Sequence, residues 1–344
     1  MNHFFIHSTT LFLADLRRKS WHKLLGINRV DMDNTLFSAF GQISSFHNGR
    51  VTDDDLDLVE RDVGRSVFFR YWDSPKRTAK APQSDDDESL ESDFENTFQS
   101  TYQNDFQNKN SNIVSARDIL ENPENISKPE QEQMLLRLIT SAIAGTSAPT
   151  SSIPEKQSMS LIQTHLRYYQ GFHDIASVVL LNLPNNPQQA SAILRSIAKS
   201  HLTDAMQDDF SKVTNLLEIV FYPLLQCFDE ELHDFLVLCE LSPSVFLTWI
   251  VTLFAHQVHN PETASRFMDC FIASHHLMPL YLSMAVMVNI ENRMQILAVD
   301  SDDPSMVHMV VTSLLKNVKD DFDDCNGDGG FTCQDLIDDA ISFM

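Results

Sequence analysis

Apolar residues return every three to four positions through almost all of 129–316, and the strict alternation of a half-buried strand is nearly absent. That period admits helices packed on helices and little else. PEQEQMLLRLITSAIAG shows it plainly: Pro129 suits a first turn, Gly145 suits an end, and Met134, Leu135, Leu138, Ile139 and Ile143 share one face. The same reading predicts helices over 190–205, 210–228, 231–239, 244–256, 261–274 and 279–297. Upstream, Leu13, Leu16, Trp21, Leu24 and Leu25 predict a helix over 10–25 that Gly26 stops, with Trp21 as a core anchor. A short helix within 32–46 follows. In VTDDDLDLVERDVGRSVFF, Thr52 and Asp55 form a capped start, Leu56, Val59 and Val63 a buried stripe, and Asp62 and Arg65 an ion pair one turn apart. The expected fold class is all-α.

Of the 344 residues 43% are hydrophobic, enough for a large core. The nine glycines include no phosphate-binding loop, no dinucleotide fingerprint and no nucleophile elbow, so any nucleotide chemistry belongs to a partner's site. A formal charge of −23 opposes nucleic acid and anionic lipid as partners. Much of it is local, in 85–95 and 320–339. From 73 to 128 aliphatic residues thin out and Gln, Asn, Ser and Asp dominate, which predicts a disordered acidic insertion. The five cysteines lack CxxC spacing, and Cys227, Cys239 and Cys270 read as small buried hydrophobes in a reducing cytosol. No signal peptide is recognised at the start. Charge-free runs at 241–261 and 270–290 carry His, Asn and Pro and read as core helices, so no transmembrane segment is expected and the location is cytoplasmic.

The stretch LIQTHLRYYQGFHDIASVVLLNLP, 161–184, is the hinge of the reading. Met159, Ile162, Leu166 and Tyr169 predict one helix face, Gly171 its end, and Asp174 an acceptor ahead of a second helix over 175–183 closed by Pro184. Gln170 then sits at a junction, which read alone is a capped corner. His256 and His259 lack the carboxylate of a zinc set and read as surface or capping residues. Near the end, DCNGDGGFTCQD follows calcium-loop spacing, with Asp324, Asn326, Asp328, Gly330 and Asp335 as candidate ligands and Gly329 at the turn. Asp335 stands where a bidentate Glu is usual and no second hand accompanies the loop. The alternative is an acidic loop before a last helix over 336–343.

Four stretches in order resemble the TBC domain, the catalytic domain of GTPase-activating proteins for Rab GTPases. WHKLLGI at Trp21 is like its W-x-x-L-L-G, VERDVGRS at 59–66 its I-x-x-D-x-x-R-T, and YYQGFHDI at 168–175 its Y-x-Q-G-M-x-D. SVFLTWIVTLFAHQV with SRFMDCFIAS is similar to its tryptophan and R-x-W-D helices. The resemblance implies a TBC domain over 10–316, interrupted at 73–128, with an extension at 1–9 and an acidic tail at 317–344. It also implies that the partner is a GTP-bound Rab-family GTPase, that GTP and Mg²⁺ belong to that partner, and that this chain activates without a cofactor of its own. Arg65 would be the arginine finger, since a permanent cation with several donors neutralises charge developing on the transferring phosphoryl group. Gln170 would be a second finger, since an amide can accept from water and donate to phosphate at once. Asp62 would hold the arginine or its helix; Tyr168 and Asp174 would fix the glutamine turn. ELHDFLVLCELSPSVFLTWIVTLFAH and ASHHLMPLYLSMAVMV are similar to the ER-associated branch of the family, which implies ER–Golgi traffic and peripheral membrane association. Members of that branch often end in a membrane anchor, and none is read here. Ser66, Phe172 and His173 depart from the usual Thr, Met and Asn. Two rival expectations are a catalytically silent Rab-binding scaffold and a calcium-responsive interaction module.

Overall fold

A computed structural model describes residues 15–33, 51–66, 128–144, 166–258, 260–318 and 331–344. The expected insertion at 73–128 lies outside them except for Lys128, as do His259 and the loop over 319–330. Among the described residues every regular element is helical, as the apolar period requires.

Helix α1 spans 15–24, and Gly26 ends it at φ +67°. Its Trp21 is buried. Helix α2 (Arg29–Asp33) is short and is started by reciprocal bonds between Asn28 and Asp31; the helix expected within 32–46 lies, past Asp33, outside the described residues. In α3 (Asp53–Val63) the Thr52 hydroxyl accepts the Asp55 N–H at 3.1 Å, and Leu56, Val59 and Val63 are buried as predicted. Helix α4 (Lys128–Ala144) buries its predicted face. Then come α5 (Phe172–Asn182), α6 (Pro187–Ser200), α7 (Ser211–Phe228) and α8 (Glu230–Leu238).

The expected single helix over 244–256 is broken. A 3₁₀ turn (Pro243–Phe246) leads into α9 (Leu247–Val251), after which the chain turns through Leu253 and Phe254, both buried at positive φ. Helix α10 (Pro261–Ala273) follows. The expected 279–297 helix is also two: α11 (Met278–Val288) and α12 (Ile290–Leu297), parted at Asn289, whose side chain accepts the N–H groups of Glu291 and Asn292. Helix α13 (Pro304–Ser313), a 3₁₀ turn (Leu314–Asn317) and α14 (Cys333–Phe343) complete the order.

Two helices are apolar nearly all round and are therefore centres of the core. α5 is packed by α3, α4, α6 and α10, and α11 by α7, α9, α10, α12 and α14. α10 touches both and joins them. The joint includes a buried ionic cluster that no local spacing in the sequence indicates. Arg17 of α1 donates to Glu262 (2.7 Å) and Asp269 (2.9 Å) of α10 and to Asn182 of α5 (3.3 Å). Trp21 Nε1 donates to Asp269 at 2.7 Å, so one α1 face is bolted to α10 by charge and one indole.

No single helix among the described residues is long and apolar enough to cross a membrane; one bent pair, Glu230–Leu238 with Pro243–Val251, passes a test of length and composition. Of the cysteines expected to be buried, Cys239 and Cys270 are and Cys227 is exposed; Cys333 is buried in α14.

Candidate functional site

The segment expected to be the end of a helix, 166–169, is not helical. Its backbone is claimed by other parts of the chain: the Arg167 N–H donates to Met206 O at 2.9 Å and the Tyr168 N–H to Asp55 Oδ1 at 3.3 Å. Tertiary bonds thus replace the helical ladder. Gly171 accordingly does not close a helix but opens one, as the N-cap of α5, at φ +105°. Asp174, expected ahead of α5, lies inside its first turn.

This rearrangement gives Gln170 its setting. From Tyr168 to Leu180 every residue is buried except Gln170, which is exposed. The two tyrosines before it are anchored on opposite sides. Tyr169 Oη donates to Val251 O at 2.5 Å, and its ring meets those of Phe172 and Phe210. Tyr168 Oη donates to Asp62 Oδ2 at 3.1 Å. Burial, and then the Asp62 carboxylate beside it, push the phenol's pKa well above its ordinary range, so it remains a donor.

Arg65 projects from the other side of the same link. It lies past the end of α3, not on it, and is exposed. Among the described residues its guanidinium forms no ion pair with Asp62, contrary to the expected helical pair; instead the Arg65 N–H donates to Asp62 O at 2.9 Å. The next residue, Ser66, is buried and bonds Ser177 of α5 at 2.8 Å. Asp62 therefore ties the two turns together: its backbone holds Arg65 and its side chain holds Tyr168. The Arg65 charge lies near enough to His173 to help lower the imidazole's pKa.

Behind Gln170 lies a chain of polar groups. Asp174, fully buried, accepts from His256 Nδ1 at 2.8 Å, and its other oxygen faces His173 Nε2 at 3.4 Å. His256 comes from the turn after α9 and is neither a capping residue nor a plain surface one; its side chain is 49% exposed. The bond to Asp174 raises its pKa above the ordinary 6.5. His173, buried, is held below that value chiefly by desolvation. Nothing in the sequence pairs His256 with Asp174, because 82 positions separate them.

The calcium candidates divide. Asp324, Asn326, Asp328 and Gly330 lie outside the described residues. Asp335 is the N3 residue of α14, where its Oδ2 accepts from the Thr332 N–H at 2.8 Å and hydroxyl at 2.9 Å in a capping box. Among the described residues no three His, Cys, Asp or Glu side chains are grouped to hold a metal.

The helical scaffold thus presents one exposed cation, Arg65, and one exposed neutral amide, Gln170, from two turns that share Asp62. Residues 157–296 match the family model of the Rab-GTPase-TBC domain, and over this stretch the chain is similar to that family. The match includes Gln170, Asp174 and His256 and begins after Arg65. The chain is similar to TBC1 domain family member 20 of Bos taurus and of Homo sapiens, at 30% identity over 145 residues, which is 42% of this chain and 35% of each relative. It is also similar to GTPase-activating protein gyp10 of Schizosaccharomyces pombe, 28% identical over 155 residues, 44% of this chain and 40% of the relative. The chain thus spans well under half the length of these relatives.

Proposed function

We propose that this chain accelerates GTP hydrolysis by a Rab-family GTPase by supplying Arg65 and Gln170 in trans. The observation that carries the reading is the bracing of these two exposed side chains through Asp62, which holds one by its backbone and the turn of the other through Tyr168. Rigid placement is what charge neutralisation and water orientation require, since a catalytic group that must be ordered during the reaction loses its advantage. GTP and Mg²⁺ arrive with the GTPase. The similarity to gyp10, named as a GTPase-activating protein, supports the same reading. Action on Rabs of ER–Golgi traffic, from a peripheral position on those membranes, is the finer proposal and rests on the narrower sequence resemblance.

Single-turnover GTP hydrolysis by a panel of Rab-family GTPases tests it. With the responsive Rab, Arg65→Ala is expected to lower the rate by about 10³-fold or more, the scale of arginine fingers. Gln170→Ala should lower it without weakening binding. Binding of a GTP-loaded Rab with no acceleration of any would make the chain a scaffold instead. Calcium binding at 324–335 is kept as a separate proposal, tested by calorimetry on wild type and Asp324→Ala; two identical silent titrations would remove it.

A further inference from the structure

In the Gln170 turn, the N–H of Gly171 points at Nδ1 of His173, 3.3 Å away. That Nδ1 is also 3.2 Å from Tyr168 Oη, a hydroxyl that gives its proton to Asp62 and can otherwise accept, whereas the backbone N–H of Gly171 can only donate. Nδ1 therefore keeps its lone pair for Gly171, and the ring's own proton belongs on Nε2, facing Asp174. The second oxygen of Asp174 is held by His256, so the carboxylate that backs His173 is itself fixed.

We propose that His173 is the positioning residue for Gln170: by accepting the Gly171 N–H it fixes the peptide plane from which the exposed amide projects. The inference deepens the reading of Gln170 as a group supplied in trans, and rests on it. Only the neutral imidazole can do this, because a proton on Nδ1 would set donor against donor. Asparagine offers an acceptor oxygen at the same branch from Cγ and binds no proton, so it should replace the bond but not the titration.

The charged and titratable groups around His173 are Asp62 of α3, Arg65 beyond it, Tyr168, Asp174 of α5 and His256 of the turn after α9. Burial lowers the His173 pKa first; Asp174 and Asp62 pull it up, His256 and Arg65 push it down. The sign follows: the turn is set while His173 is neutral and loosens as pH falls below 6.5.

Gln-Gly occurs once in the chain, so glutamine labelled at its carbonyl carbon together with ¹⁵N-glycine yields a single amide resonance, that of Gly171. In wild type this amide should exchange slowly with water near neutrality and shift as the pH is lowered below 6.5. His173→Asn should keep slow exchange without the titration, and His173→Leu should exchange fast. In single-turnover hydrolysis with the responsive Rab, His173→Leu should lower the saturated rate about 10- to 100-fold, the cost of a misplaced group. Half-saturation should not change. On a Gln170→Ala background the same substitution should cost nothing further. His173→Asn should match wild type near neutrality and lack its acid-side decline. An unchanged resonance and rate in His173→Leu, or a full additional loss on the Gln170→Ala background, would overturn the inference while leaving the activating function in place. A wild-type chain that accelerates no Rab sinks both.

Discussion

Gly171 meets two demands that no other residue satisfies together. Its φ of +105° is open to glycine and strained for side chains, and a Cβ built there would lie 2.8 Å from Thr252 Cγ2. Gly171→Ala is therefore expected to destabilise the fold by about 1–3 kcal/mol and to displace Gln170 as well. Thr252→Ser, which keeps the hydroxyl that donates to Thr248 O, should restore part of that stability by removing the methyl but not the dihedral strain. Urea unfolding of the single and double variants measures both terms; no recovery in the double variant would show that strain alone matters. At this scale the sequence was informative where chemistry follows spacing. Arg65 and Gln170 sit within short motifs, and Trp21 is apolar at a helical interval. His256, Arg17 and the Ser66–Ser177 bond were hidden because each acts through a partner 82 to 252 positions away.

Helices were legible wherever their ends are written locally: Pro261 and Asn260 start α10, and Gly26 ends α1. They were misread where tertiary bonds overrule the period. Residues 166–169 give up a helix for bonds to Asp55 and Met206, and Asn289 breaks an apolar run by capping its second half. The end of α8 shows the same tension in a form that can be improved. The Leu241 N–H donates to Leu236 O and the Glu240 N–H to Val237 O, the two bonds of a Schellman close. Its left-handed position is held by Glu240 at φ +52°, where glycine is usual. The Glu240 side chain is exposed and makes no hydrogen bond or ion pair among the described residues. Glu240→Gly should thus stabilise the protein by about 1 kcal/mol, the cost of a side chain in the left-handed region. A higher urea midpoint at unchanged slope is the expected result; a lower midpoint would mean that the glutamate contributes something the close does not need.

On the scale of the whole molecule, α5 and α11 are two buried axes, and the turns that carry Arg65 and Gln170 hang on the first. Arg65 reaches α5 through Ser66, Gln170 enters it through Gly171, and Asp174 within it gathers His256. The far side is finished by a segment whose composition reads as a tail. Acidic residues make 317–344 look solvated, yet α14 packs on α11 and α10, burying Cys333, Leu336, Ile337 and Ala340. Phe343 stacks on Phe228 with ring centroids 4.2 Å apart, and Gln334 bonds Arg266. A last helix over 336–343 was legible in the sequence, but its burial was not, because exposed carboxylates surround a short apolar stripe. If α14 is part of the core, Leu336→Ala should cost about 2–5 kcal/mol, whereas Ile341→Ala, on an exposed residue, should cost less than 0.5 kcal/mol, roughly the range for surface changes. The two losses are read from thermal and urea unfolding of the full chain. Because the candidate site hangs on α5 and α14 packs on α11, Leu336→Ala should lower the melting temperature while leaving the proposed acceleration of Rab GTP hydrolysis below that temperature unchanged. Equal, small losses in both variants would make 333–343 a tail after all.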